Sequence, residues 1–248
     1  SELQFHNYSN LHSKKNYKQS VEYAKLKESN GYTPLYLGLV DSGNNVHAAT
    51  LILEKKINNK YRYGYVPNGY LIDFYHLDLV KTFTIELKSY LKKLNYVYIR
   101  VNPYINYQVY DSDFILKENN SGIIKELENL EYNFISNTSK YKMVLKANNI
   151  RSTYQNFKRS LRRNINNCLK KWITVYQGVR QDQQDFLNLV GNQERYQKII
   201  ELFQHPQNYF EFYLAKIDPE TYINNYRYLI KKEQLNNDRL NRKLKDPR

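Results

Sequence analysis

At 248 residues the chain has length for one sizeable core or two smaller ones, and its 41% hydrophobic content with 26 tyrosines excludes global disorder. Lys and Arg number 38 against 24 Asp and Glu, a formal charge of +14 that draws anionic partners (nucleic acid, phosphorylated lipid, anionic membrane) over long range. The mean hydropathy of −0.78 reflects a polar, Asn- and Lys-rich surface, and an AT-rich genome would produce the same vocabulary, so charge alone does not name the anion.

No stretch approaches the roughly 18 apolar residues of a membrane span, and the N-terminus lacks the core of a signal peptide. The single cysteine, Cys168, has no second thiol to pair with. A cytoplasmic setting is expected, with peripheral contact at the inner membrane face left open.

In chain order, residues 21–28 read as a short helix that ends at Asn30-Gly31. Residues 35–40 and 47–54 read as strands joined by Asp41-Ser-Gly-Asn-Asn45, which is hairpin chemistry. A third strand, 61–66, stops at Pro67-Asn68-Gly69 and completes an antiparallel meander. Between 79 and 94, Val80, Phe83, Leu87, Leu91 and Leu94 recur at intervals of three and four, which predicts an amphipathic helix. That helix leads into the β-rich run 96–101, so it should pack on the sheet the run enters.

A helix-like segment at 123–130 follows, then a strand at 142–146, a helix over 152–171 and a strand at 173–176. In that helix Tyr154, Phe157, Leu161, Ile165 and Leu169 form one stripe, with Ser152 or Thr153 as candidate N-cap. The restart places a domain boundary near Asn148. A helical region at 183–203, a strand at 209–217 and a charged, glycine-free helix from 219 complete the reading. The expected organisation is a first α/β subdomain over 1–148, a second over 149–218 and a helical arm over 219–248.

Conventional signatures are missing: no glycine-rich nucleotide loop, no paired cysteines, no nucleophile elbow, and His6, His12, His47, His76 and His205 are scattered. No metal site is expected. The cations Lys158, Arg159, Arg162, Arg163, Lys170 and Lys171 read either as a solvated helix face or as a grip for phosphate, for which the planar guanidinium is suited. Residues 65–73 (Tyr-Val-Pro-Asn-Gly-Tyr-Leu-Ile-Asp) read either as a pocket rim bearing the carboxylate of Asp73 or as a plain connection capped by it.

Four landmarks in order resemble the FemABX family of peptidoglycan aminoacyltransferases. They are Gln19-Ser-Val-Glu-Tyr-Ala-Lys-Leu-Lys27 with Asn30-Gly31-Tyr32; residues 65–74, similar to the family's Y-x-P-R-G-x-x-x-D-Y; helix 79–94 with Tyr98-Ile-Arg-Val-Asn-Pro103; and Arg162-Arg163-Asn164-Ile165 before Lys170-Lys171 and Ile173-Thr-Val175. Asn68 stands where that family often has arginine, Tyr70 where proline is common and Trp172 where glycine is usual.

The resemblance implies a mixed-sheet α/β (α+β) fold of acetyltransferase-like (GNAT) subdomains, the second incomplete, with a C-terminal helical arm. It implies transfer of an amino acid from aminoacyl-tRNA, the co-substrate in place of a cofactor, to the stem-peptide amine of a UDP-linked or lipid-linked muropeptide. By the same analogy Asp73 lines the acceptor site, Lys27 and Asn30 meet the precursor's sugar or diphosphate, and Arg162 or Arg163 the diphosphate; aminolysis needs a base for the amine's proton, and Asp73 is the candidate for that role. Asn68 stands at the position of a charged contact. The rival readings are a basic nucleic-acid-binding protein without catalysis, an acyl-CoA-dependent transferase, which would want a glycine-rich pyrophosphate loop, and a truncated inactive member of the family.

Overall fold

The computed structural model describes residues 1–135, 144, 149–204 and 209–245. The chain divides into two compact units: Ser1–Thr138 with Glu194–Phe210, and Ser139–Gln193 with Glu211–Arg248.

The first unit is built on a four-stranded sheet of β1 (Thr33–Val40), β2 (Val46–Lys56), β3 (Arg62–Val66) and β4 (Tyr96–Val101) in that spatial order. The first three strands are antiparallel, as the turn chemistry predicts, and β4 lies parallel to β3, making the sheet mixed. A parallel neighbour requires a crossover. Here α3 (Leu77–Lys93) supplies it and buries Val80, Phe83, Leu87 and Leu91, four of the five positions of the expected stripe. Between β1 and β2 the Asp41 Oδ1 accepts the N–H of Gly43 (2.8 Å) and of Asn45 (2.9 Å). Bonds from Asn45, and then His47, hold the Asp41 carboxyl far below the usual range.

Every residue from Ala48 to Glu54 in β2 is buried, because both faces of this strand are covered. Ala48 and Ile52 join the cluster under α3, with Val66, Ile72 and Phe74. Ala49, Leu51 and Leu53 join a second cluster with Phe5 of α1 (Glu2–Leu11) and Val21, Tyr23 and Ala24 of α2 (Val21–Glu28). The helix α1 was not expected from the sequence. Its start is fixed by a capping box in which the Ser1 hydroxyl accepts the N–H of Gln4 at 3.3 Å. One acid is buried in the sheet: Glu54 receives Arg62 Nη1 on Oε1 (3.2 Å) and the Tyr96 hydroxyl on Oε2 (2.5 Å). A short hairpin, β5 (Gln108–Tyr110) and β6 (Leu116–Asn119), and α4 (Ser121–Asn129) follow.

The second unit departs from the expected pattern in several places. The helix expected over 152–171 is two, α5 (Ile150–Asn156) and α6 (Arg159–Lys170), because Phe157 and Lys158 take extended ψ values of 144° and 146°. No proline or glycine marks that break. The cap of α5 is Asn149, whose Oδ1 accepts the N–H of Arg151 at 2.9 Å and of Ser152 at 3.2 Å, and not Ser152 or Thr153. No residue of α5 or α6 is buried, so the stripe does not form a core face within this unit.

After β7 (Ile173–Gln177), the helix expected over 183–203 is α7 (Gln183–Leu189) and α8 (Gln193–Phe203), parted by Gly191 and by Asn192 in the left-handed region at φ 59°. Residues 194–210 belong to the first unit, where Phe203 is buried in the cluster of Phe5 and Val21. The strand β8 (Tyr213–Ile217), shorter than the expected 209–217, pairs antiparallel with β7. The chain then enters α9 (Pro219–Lys245), a charged helix of 27 residues. Of the expected strand at 142–146 only residue 144 is described, and the boundary near residue 148 lies outside the described residues. Among the described residues no helix is long and apolar enough to cross a membrane.

Candidate functional site

The stretch after β3 is where buried and exposed residues are sorted most sharply. Pro67 is fully buried, and Asn68 turns the chain at φ 48°, a left-handed conformation that asparagine tolerates and arginine disfavours. The peptide bond between Gly69 and Tyr70 is cis. Tyr70, Leu71 and Ile72 are buried, and Leu71 exchanges backbone hydrogen bonds with Ala49 of β2 at 2.9 and 3.1 Å. Phe74 is buried as well. Asp73 alone in this run is exposed, on a backbone anchored on both sides.

Beneath the turn lies Gln19, wholly removed from solvent. Its Nε2 donates to the carbonyls of Pro67 (2.8 Å) and Leu51 (3.2 Å), and its Oε1 accepts the N–H of Leu51 at 2.8 Å. This carboxamide ties the turn to β2.

Asp73 borders a small cleft of about 110 Å³ lined by Ser13, Lys14, Ile72, Asp73, Phe74, Tyr75, Tyr104 and Ile105. That volume is well below the roughly 300–1,000 Å³ of a whole small-molecule site, so the cleft admits an end group, not an entire ligand. Ile72, Phe74 and Ile105 give it an apolar wall, while Lys14, Asp73 and the two tyrosines give it polar ones.

The carboxylate is half engaged. Asp73 Oδ1 accepts the N–H of Tyr75 at 2.9 Å, so the capping reading of Asp73 holds for one oxygen. The other oxygen has no hydrogen-bond partner among the described residues. Tyr75 extends the network, since its hydroxyl donates to Glu118 Oε1. Asn120, a buried residue, donates Nδ2 to the same oxygen at 2.6 Å and to the Asn106 carbonyl at 2.8 Å. The Tyr75 bond, and then that of Asn120, lower the Glu118 carboxyl below its ordinary value, and the Glu118 partner raises the Tyr75 hydroxyl.

His12, at the end of α1, is an electrostatic neighbour of both Asp73 and Lys14. Partial burial lowers its pKa; Asp73 opposes that shift and Lys14 adds to it. Its Nδ1 accepts the N–H of Lys14 at 3.0 Å, so the neutral ring carries its proton on Nε2 and faces its surroundings as a donor.

The other residues singled out in the sequence lie elsewhere. Lys27 is in the last turn of α2 and Asn30 in the exposed turn beyond it; neither lines the cleft, and nor does Asn68. The Lys27 ammonium lies 5.2 Å from the ring centre of Tyr23, and burial, then Arg195 and Lys18, lower its pKa. Asn68 Oδ1 accepts from Asn102 Nδ2 at 3.3 Å and its carbonyl from Asn16 Nδ2 at 3.2 Å, so its oxygens are engaged within the fold. Arg162, half-buried, and Arg163, exposed, are on α6 of the second unit, and neither joins an ion pair among the described residues.

Sequence reasoning missed Gln19 as a tether, missed His12, Lys14 and Tyr75 as neighbours of Asp73, and missed Glu118 and Asn120 as partners of Tyr75. Gln19 was visible only as the first letter of a family phrase. Glu118 lies 43 positions beyond Tyr75, and no spacing rule joins such residues. Among the described residues there is no group of three or more His, Cys, Asp or Glu arranged to hold a metal ion.

Comparison with known proteins adds to this geometry. The sequence model of the FemAB family matches residues 1–247. An Aminoacyltransferase FemB of Staphylococcus epidermidis is 28% identical over 241 residues, covering 92% of this chain and 57% of the relative. An Aminoacyltransferase FemA of the same species is 34% identical over 110 residues, 44% of this chain and 26% of the relative. A crystal structure of FemX matches with a TM-score of 0.68 at 15% identity, covering 99% of this chain and 63% of that one, a likeness of fold. The chain thus spans less than two thirds of the length of these relatives.

Proposed function

The chain belongs to the FemAB family, and on that ground we propose that it is an aminoacyltransferase that moves an amino acid from aminoacyl-tRNA to the stem-peptide amine of a peptidoglycan precursor, in formation of an interpeptide bridge. The observation that carries the reading is the family match over residues 1–247, with relatives named aminoacyltransferases. The acceptor is a UDP-linked or lipid-linked muropeptide. A lipid-linked one would bring the chain to the inner membrane face, where a charge of +14 favours anionic lipid.

The chemistry is aminolysis of an ester. The acceptor nitrogen adds to the ester carbonyl, its surplus proton passes to a base, and collapse expels the ribose hydroxyl of the tRNA. An ester is already a good acyl donor, so most of the acceleration comes from holding the reactants in line. Asp73 is the proposed base: its carboxylate borders a cleft sized for an end group and keeps one oxygen without a hydrogen bond among the described residues. Lys27 and Asn30 are proposed to bind the precursor's sugar or diphosphate and Arg162 or Arg163 the diphosphate, while Asn68 takes part through its amide nitrogen, since its oxygens are engaged. No separate cofactor enters this scheme.

Replacing Asp73 with Asn keeps the size of the side chain and removes the base. Turnover is expected to fall by about 10²-fold or more while UDP-muropeptide still binds. Unchanged turnover rules the role out.

A further inference from the structure

We propose that Glu118 is a specificity-determining residue of this acceptor site, its carboxylate favouring an acceptor that ends in a free ammonium over one that is neutral there. The inference rests on the acyl-transfer reading above and adds a residue from a different part of the chain. Tyr75 makes the connection, because Glu118 does not itself line the cleft. Tyr75 does, its N–H donates to Asp73 Oδ1 at 2.9 Å, and its hydroxyl donates to Glu118 Oε1. Buried Asn120 donates to the same Oε1 at 2.6 Å and is itself fixed to the Asn106 carbonyl at 2.8 Å. Both donors meet one oxygen, and Oε2 has no hydrogen bond among the described residues.

A carboxylate fixed in this way stays ionised at neutral pH and keeps its position when Asp73 changes protonation state. A lysine-type amine reaches the site as an ammonium, since its pKa is about 10.4 in water. One carboxylate cannot both take the proton and remain negative, whereas two divide the tasks: Asp73 receives the proton and Glu118 keeps the field that draws the cation. Lys14 lines the same cleft and is an electrostatic partner of Glu118, so it sets the background positive charge against which the acceptor competes. A fixed negative charge also favours the protonated amine, so it should strengthen binding without speeding proton loss. Its signature is therefore in KM and not in kcat.

The test is calorimetric titration of this chain, and of Glu118→Gln, with UDP-linked muropeptide carrying a free lysine amine and with its Nε-acetylated counterpart. Wild type should prefer the free amine. Glu118→Gln, of the same size at a half-buried position, should lose roughly two- to fivefold affinity for the amine and none for the acetylated ligand. Glu118→Asp should restore part of the preference, and transfer kinetics should show a raised KM at unchanged kcat. Equal losses for both ligands, or no loss for either, overturn the proposal. Failure of wild type to bind either ligand sinks the acyl-transfer reading itself, and the inference with it; equal wild-type affinity for both sinks the inference alone.

Discussion

Gln19 is uncharged, far in sequence from Asp73, and buried without residue under the turn that presents it. Leucine at this position would fit by volume and leave the Leu51 N–H and the Pro67 carbonyl without partners in a water-free place. Each such orphan costs about 1–3 kcal/mol, so Gln19→Leu is expected to destabilise the chain by about 2–4 kcal/mol in urea unfolding. A change under about 0.5 kcal/mol would show that the tether is dispensable. Nothing in the sequence separates this glutamine from a surface one, because its importance lies in three main-chain contacts made at distances of 32 and 48 positions. Asp73 was legible, since a strand end, a Pro/Gly turn and a carboxylate lie together in one phrase. The partners of Tyr75, Glu118 and Asn120, were not, because only the fold brings the β5–β6 hairpin to Tyr75.

The elements divide along the same line. α3 announces itself by period, and the strands of the first unit by their turn residues, so both were read with small errors at their ends. α5 and α6 were read as one helix because the stripe from Tyr154 to Leu169 keeps its spacing across a break that no breaker residue marks. Trp172, at φ 57°, occupies a left-handed helix end where glycine is the easier choice, which is a local cost that composition does not reveal. α8 presents a different lesson: its apolar side was visible, but not the unit against which it is buried. Phe203 is 3% exposed and contacts Tyr17 and Tyr209 edge-on, at ring distances of 5.9 and 6.4 Å. Phe203→Ala should open a cavity in the first unit and cost about 3–5 kcal/mol. Thermal unfolding of the variant checks this, and a loss below about 1 kcal/mol would mean that the segment only rests on the surface.

For the molecule as a whole, the fold class follows from alternating helix and strand signals, and the mixed sheet of the first unit bears it out. The charge of +14 is the global property that suits both proposed substrates, one a polyanionic RNA and the other a diphosphate. It does not distinguish a transferase from a protein that merely binds nucleic acid, since backbone neutralisation releases counterions in either case and makes affinity fall with salt. Chemistry separates the two readings. The direct measurement is incubation of this chain with charged tRNA and UDP-linked muropeptide, followed by the mass of the muropeptide. The expected result is a gain equal to one or more aminoacyl residues, lost in Asp73→Asn. A muropeptide of unchanged mass, from a wild-type chain that binds the RNA in a salt-dependent manner, would contradict the account and leave a basic binding protein in its place.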